Sequence, residues 1–233
     1  FGLEAGDAGH VADVLAESSA RTNASVSSMG EAFKYVAPVA NAMNISLEET
    51  AAAIGILSDA GISGSQAGTV LRGVLSRLAK PSEQAIELME GIGFSAYDSQ
   101  GNMKSFSEII DSVRVSTENL SEEQKNNALV TIFGQEALSG VLALMEAGPD
   151  EINKLTESYL NCDGAAEGMA STIQNNLKGS WDEFTSALEG AAIAIGDVLL
   201  PHITKAVDWV TKIVSAFADL SPELQENIVK WGL

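Results

Sequence analysis

The sequence predicts an all-α protein on the strength of three observations. Apolar side chains recur every three or four residues along most of the 233 residues, which is the spacing of one helix face. Several of these runs begin with a serine followed three residues later by an acid or an amide, as in a capping box. Hydrophobic residues make up 45% of the chain but aromatic residues only 6%. We therefore expect a compact bundle of short helices with one small β-hairpin, followed by longer amphipathic helices.

Two helices are expected at the start of the chain. The first covers roughly residues 8–20, and the polar stretch Thr22–Ser25 follows it as a loop. Ser28 and Glu31 have the spacing of a capping box for the second helix. Pro38 lies inside this second helix and predicts a kink or an early break, because proline has no amide hydrogen.

Three further helices are expected before residue 93. Ser46 and Glu49 form a capping box for the first of them, and Gly61 ends it. The second stops at Pro81, because proline disfavours a helical conformation in the residue before it. Ser82 starts the third. The stretch that follows contains the turn sequence Asp98–Asn102 between two short extended runs, which predicts the β-hairpin.

Helical spacing resumes after the hairpin. Capping boxes are formed by Ser105 with Glu108 and by Ser121 with Gln124, and Gly148–Asp150 and Asp163–Gly164 mark breaks. From about Gly168 the pattern predicts one amphipathic helix of roughly thirty residues. Pro201 is expected to interrupt it, and a last helix is expected to start at Ser221. The apolar positions of the long helix are Met169, Ile173, Leu177, Trp181, Phe184, Leu188, Ala191, Ile195 and Val198, and the stripe continues through Ile203, Val207, Val210, Val214 and Phe217.

This pattern divides the chain into two parts. Residues 1–163 are expected to form a compact helical region, and residues 164–233 to form long amphipathic helices at the start of an extended region. Phe1 opens the chain and Trp231–Leu233 closes it in the middle of a helical pattern, so we expect a piece of a longer protein.

Composition argues against several classes of function. The formal net charge of -19 disfavours direct binding to nucleic acid, since phosphate contacts need clustered lysine and arginine. Cys162 is the single cysteine, and His10 and His202 are the two histidines, far from it in sequence. We therefore expect no catalytic, cofactor-binding or metal-binding residues and no enzymatic activity, with Cys162 a small core or surface residue.

Two small features admit a second interpretation. Gly64 and Gly68 have small-xxx-small spacing, which indicates close packing of helix backbones here, and Gly68→Leu is expected to disrupt the bundle. Arg72 and Gly73 follow at a spacing that also occurs at phosphate sites, an alternative that the acidic chain disfavours.

The tryptophans are expected to pack in the core or between helices, with anchoring to lipid or a partner helix as the alternative. They are Trp181, Trp209 and Trp231.

Several stretches taken together resemble the core region of phage tail tape measure proteins of long-tailed phages or prophages. The resemblance covers about residues 8–147, and its motifs are specific through their order and spacing. A looser resemblance continues through Gly179–Phe184 and Leu199–Pro201, where long helices begin. The stretches of the core region are Ala12–Ala16, Ala32–Ala40, Ser46–Leu57, Ala60–Arg72, Arg77–Pro81 and Ile132–Ala137.

The resemblance implies a structural role in tail assembly and tail length, and a part in genome delivery. It implies a place in the lumen of the virion's tail tube, with the host cytoplasm as the site of assembly. The implied partners are tail tube, tail-tip and assembly chaperone proteins. Self-association through the long helices is inferred instead from the stripe between Met169 and Val198, whose cover could be the compact region, a second copy or another protein. Two other functions remain open at this point: a membrane-active segment over residues 181–218 released at infection, and a cell-wall hydrolase.

Overall fold

The computed structural model describes the backbone of residues 1–222 and 225–226, and their side chains except at positions 189 and 191–203. These residues form helices joined by turns, which confirms the all-α prediction. Two compact units are present, Phe1–Ser171 and Thr172–Leu233. The helices are α1 (Ala8–Arg21), α2 (Val26–Ala42), α3 (Leu47–Asp59), α4 (Gly64–Ala79), α5 (Glu83–Ile92), α6 (Phe106–Thr117), α7 (Glu122–Phe133), α8 (Leu138–Leu160) and α9 (Ala165–Ala218), with short 3-10 turns at Ala5–Asp7 and Gln135–Ala137.

Serine side chains start most of the short helices. Ser46, Ser105 and Ser121 each accept a hydrogen bond from the backbone N–H three residues ahead, and the capping boxes predicted at these three serines are present. Ser82 caps α5 in the same way without the reciprocal bond. These short-range patterns therefore locate helix starts to within one residue.

The start predicted for α2 is wrong. The capping residue is Ser25, whose Oγ accepts a hydrogen bond from the N–H of Ser28 over 3.1 Å. The Ser28 hydroxyl in turn accepts from the N–H of Ser25 over 2.9 Å, the role that glutamate usually has in this motif. The helix then runs past Pro38 to Ala42 without the early break that proline allowed. Burial of Val36 and Ala40 on either side of Pro38 offsets the one lost backbone hydrogen bond.

The predicted β-hairpin is also wrong. Within the described residues the stretch contains one isolated antiparallel bridge, between Tyr97 and Met103, and no strand. Two backbone hydrogen bonds pair the arms of the loop, from Asp98 N–H to the Asn102 oxygen at 2.9 Å and from Lys104 N–H to the Ala96 oxygen at 3.0 Å. Oδ1 of the Asp98 carboxylate also accepts from the N–H groups of Gln100 at 2.8 Å and Asn102 at 2.9 Å. The pairing ends there, so this described stretch is a tight loop with one bridge and no strand.

The core of the first unit surrounds α3. Nearly every residue of this helix is buried, on all sides rather than on the single face that its spacing predicts. It packs against α8 above all, and also against α1, α2 and α4. The other two extensive helix pairs are α2 with α4 and α6 with α8. The largest fully buried side chains are Tyr159, Phe106, Phe133, Met29, Ile54 and Leu57.

Gly148 breaks α8 where the sequence predicted a break. Its φ of 80° is left-handed, a region that favours glycine, and Pro149 follows it directly. A Cβ at Gly148 would come within 2.8 Å of the Arg114 guanidinium. The break therefore has two causes, the backbone conformation of Gly148 and the missing amide hydrogen of Pro149.

Helix α9 is longer than predicted. It covers 54 residues, about 80 Å at 1.5 Å per residue. The interruption predicted at Pro201 is absent from the described backbone, since a proline removes one hydrogen bond while the turns before and after it keep theirs. The last helix predicted from Ser221 lies mostly outside the described residues.

Candidate contact surfaces

Two carboxylates of the first unit, Asp13 and Glu49, cap helices that begin far along the chain. Asp13 of α1 accepts from the N–H groups of Gly164 at 3.1 Å and Ala166 at 2.9 Å, at the start of α9. Those two hydrogen bonds hold the pKa of Asp13 below its ordinary value. Glu49 of α3 accepts from the N–H of Phe106 at 2.9 Å, at the start of α6. These acids stabilise helix ends distant in sequence rather than facing one another across a cleft.

His10 and Glu48 form a hydrogen-bonded histidine–carboxylate pair, an arrangement that also occurs in active sites. His10 Nε2 donates to Glu48 Oε1 over 2.7 Å, and its Nδ1 lies 4.0 Å from a carboxylate oxygen of the exposed Asp163. Burial alone raises the pKa of Glu48, but the hydrogen bond from His10 and those at the start of α3 outweigh it and leave the pKa below its ordinary value. A carboxylate held in its charged form by a neighbour is a structural ion-pair partner and a poor proton donor.

The lowered pKa of Glu48 predicts a pH-dependent stability. The charged carboxylate stabilises the folded unit above the ordinary value of 4.5, and this stabilisation is lost as the pH falls through the lower value in the folded protein. We expect Glu48→Gln to be less stable than wild type near neutral pH and to lose less stability between about pH 5 and pH 3. Urea midpoints at several pH values measure this. Parallel curves for the two proteins would contradict it.

Cys162 is a core residue. It is buried, and its Sγ donates to the backbone oxygen of Tyr159 over 2.9 Å. Burial, reinforced by the carboxylates of Asp13 and Glu17, raises the pKa of Cys162 to about 11. A thiol with this pKa stays protonated at neutral pH, the opposite of an activated nucleophile.

A metal site has no support in the described part of the chain. Over residues 1–222 and 225–226, no group of three or more His, Cys, Asp or Glu side chains has the geometry to hold a metal ion. The side chain of His202 lies outside the described ones.

Gly68 is where two helices come closest. A Cβ on Gly68 of α4 would lie 2.3 Å from the backbone oxygen of Ala32 and 2.8 Å from its Cα, in α2. A Cβ on Gly64 would meet nothing within 4 Å. Of the two glycines with small-xxx-small spacing, Gly68 therefore allows the close packing of α4 on α2 and Gly64 does not take part in it.

Apolar side chains of α9 are exposed over much of its described length. We call this set the α9 stripe. Its members from Ile173 to Leu188 share one face, whereas Val207 and Trp209, two residues apart, lie on different faces. Its side chains are between 47% and 68% exposed, whereas the helices of the first unit bury most of their large apolar side chains. The predicted positions Ala191, Ile195, Val198 and Ile203 lie outside the described side chains. The members of the α9 stripe are Ile173, Leu177, Trp181, Phe184, Leu188, Val207, Trp209, Val210, Ile213 and Val214.

Two tryptophans belong to the α9 stripe. Trp181 is 62% exposed and Trp209 is 66% exposed, so the expected packing in a core is wrong for both. The Trp181 ring lies 5.8 Å from that of Phe184, centroid to centroid, on the same face. The sequence predicts the apolar spacing of α9 but contains no signal for the exposure of these side chains. Trp231 lies outside the described residues.

Among the described residues, no single helix combines the length and the hydropathy needed to cross a membrane. One pair of helices, Glu122–Phe133 and Gln135–Leu160, reaches this length and hydropathy only when combined, and the two are bent by 110°.

Comparison with known proteins gives consistent matches. Residues 1–134 match a family described as phage-related minor tail protein. The chain is 50% identical over 229 residues to a tape measure protein of Pneumococcus phage Dp-1, covering 98% of this chain and 20% of that protein. It is 36% identical over 217 residues to a probable tape measure protein of Escherichia phage P2, covering 92% of this chain and 27% of that protein. No solved structure matches.

Proposed function

The chain belongs to the phage-related minor tail protein family, and from that premise we propose that it is part of a tape measure protein that acts in tail assembly and sets tail length. It spans only 20% and 27% of the length of the two relatives described above. The observation that carries the proposal is the α9 stripe on a helix of 54 residues. A helix gives about 1.5 Å of length per residue, and its uncovered face supplies a surface for assembly.

The two parts of the chain have different roles in this proposal. Residues 1–163 are the compact core region, and residues 164–233 are the start of the extended region. The division of the fold into units near Ser171 supports this organisation. The proposed location is the lumen of the tail tube, with assembly in the host cytoplasm and a part in genome ejection. Tail tube, tail-tip and assembly chaperone proteins are the proposed partners.

A second copy of the chain is the proposed cover for the α9 stripe. Leu177, Trp181, Phe184 and Leu188 are separated by four, three and four residues, the alternation of core positions in a coiled coil. Burial of such side chains contributes roughly 1.5–3 kcal/mol each. Helices aligned side by side along this face would form a rod without losing length.

A deletion inside α9 tests the role in tail length. Removing about 36 residues, ten turns at 3.6 residues per turn, keeps the faces of the helix in register. We expect tails shorter by about 54 Å at 1.5 Å per residue, and a duplication of the same segment to lengthen them equally. Averaged electron micrographs of virions measure both. Assembled tails of unchanged length would contradict the proposal.

A membrane-active role for residues 181–218 is the alternative function that one observation favours. Trp181 and Trp209 are exposed on an apolar face, as in helices that lie in a lipid interface. Leakage of dye from phosphatidylcholine–phosphatidylglycerol vesicles at neutral and low pH tests it. Leakage by the wild-type chain that is abolished by polar substitutions in the α9 stripe would favour this role over self-association.

We also propose that the chain has no catalytic role. Three acids of the first unit, Asp13, Glu48 and Glu49, are engaged in caps or in an ion pair. A gel containing bacterial cell walls tests the hydrolase alternative, and a cleared zone at the position of this chain would overturn the proposal.

A further inference from the structure

A groove runs along α4 on the surface of the first unit. Its volume is about 560 Å³, and its floor includes Gln66, Thr69 and Gly73, which share one face because they lie three and four residues apart. A Cβ on Gly73 would meet nothing within 4 Å, so the space above the floor is open. The groove therefore has room for a ligand and is separate from the α9 stripe.

Two guanidinium groups are held in place at the groove. The guanidinium of Arg72 lies over the Tyr35 ring, 5.7 Å from its centroid. The guanidinium of Arg77 packs on the backbone of Gly134, where a Cβ would come within 2.7 Å of it. Its Nη2 lies 3.8 Å from Glu136. Within the described part of the chain, no carboxylate oxygen lies within 4.0 Å of the nitrogens of Arg72, so its charge faces the groove unneutralised.

We propose that this groove binds a short, extended acidic segment of another protein. The guanidinium of Arg72 lies near the Tyr35 ring, and its planar shape allows two parallel hydrogen bonds to a carboxylate. Tyr35 is 39% exposed and also lines the groove, which offers an apolar surface next to the acidic contact. From Gln66 to Arg77 the helix rises about 16 Å, the length of about five extended residues.

Charge complementarity selects a peptide over nucleic acid. Arg72 and Arg77, set against Glu136 in the same groove, leave one net positive charge, which suits a single carboxylate. A nucleic acid would instead bring a continuous row of phosphates against the surface of a chain of net charge -19. This inference concerns the first unit and does not depend on what covers the α9 stripe.

Fluorescence anisotropy with a labelled peptide of sequence Glu-Leu-Glu-Leu-Glu tests the proposal on the full chain. At about 0.15 M salt, where long-range repulsion from the acidic surface is screened, we expect saturable binding. Arg72→Gln and Gly73→Leu should each weaken it at least about tenfold. Leucine at Gly73 fills the groove and fits without a clash, since nothing lies within 4 Å of its Cβ. A peptide with glutamine in place of glutamate should not bind.

Gly91→Leu is the matched control. Gly91 lies on α5 away from the groove, and a Cβ there also meets nothing within 4 Å. This variant should bind the acidic peptide like wild type, and circular dichroism checks that all three variants are folded. Equal affinity of wild type and Gly73→Leu, binding of an oligothymidylate but not of the peptide, or no binding at about 1 mM peptide would each overturn the proposal.

Discussion

Gly68→Leu is expected to destabilise the first unit by about 3 kcal/mol or more, enough to prevent folding if the unit is marginally stable. The reason is geometric: even a single Cβ would lie 2.3 Å from the backbone oxygen of Ala32. That atom belongs to the main chain of α2 and cannot rotate away as a side chain would. Because α2 and α4 form the most extensive helix pair, separating them opens the core. Thermal and urea unfolding of the purified chain measure the loss.

Gly73→Leu on the same helix is the control for this result. A Cβ at Gly73 has no neighbour within 4 Å, so leucine there should leave stability unchanged or raise it by up to about 1 kcal/mol through helix propensity. The two substitutions change the same residue type five positions apart. If both variants unfold at the wild-type temperature, α2 and α4 do not pack as closely as the structure has them.

Local chemistry made much of the fold predictable from sequence. A serine three residues before an acid or amide satisfies free N–H groups at a helix start, whatever the rest of the chain does. The starts at Ser46, Ser105 and Ser121 and the break at Gly148 were predicted for this reason. The start of α2 was missed because the Ser28 hydroxyl takes the role that an acid usually has in a capping box. The β-hairpin was predicted from a real turn whose pairing ends after one bridge.

Contacts between residues distant in sequence were not predictable in this way. The spacing of α3 indicates one buried face, yet helices on every side bury the rest of it. Asp13 looks like an ordinary surface acid and Glu49 like the acid of a local capping box, but each also caps a helix that begins far along the chain. Gly68 was identified as a close-packing position, whereas its partner Ala32 had no signature. The groove beside Arg72 depends on Tyr35 and Gly134, which only the fold brings together.

Replacing three side chains of the α9 stripe is expected to weaken self-association at least about a hundredfold, which corresponds to about 2.7 kcal/mol. The variant is Leu177→Gln, Phe184→Gln and Leu188→Gln. Each side chain is more than half exposed, so its burial is available for association and contributes roughly 1.5–3 kcal/mol. Glutamine has about the helix propensity of leucine, which limits the effect on α9 itself.

The matched control makes the same kind of change on the first unit. Val26, Ile86 and Val115 are apolar and 44%, 42% and 61% exposed, but they lie outside the α9 stripe. Their joint replacement by glutamine should leave association at the wild-type level.

Sedimentation velocity of the purified chain tests directly whether the α9 stripe mediates self-association. Concentrations between about 1 and 100 µM resolve dissociation constants near the micromolar. The expected result is a concentration-dependent oligomer for wild type and for the first-unit control, and a monomer throughout for the variant of the α9 stripe. A wild-type chain that stays monomeric over the whole range, or a stripe variant that associates like wild type, would contradict it.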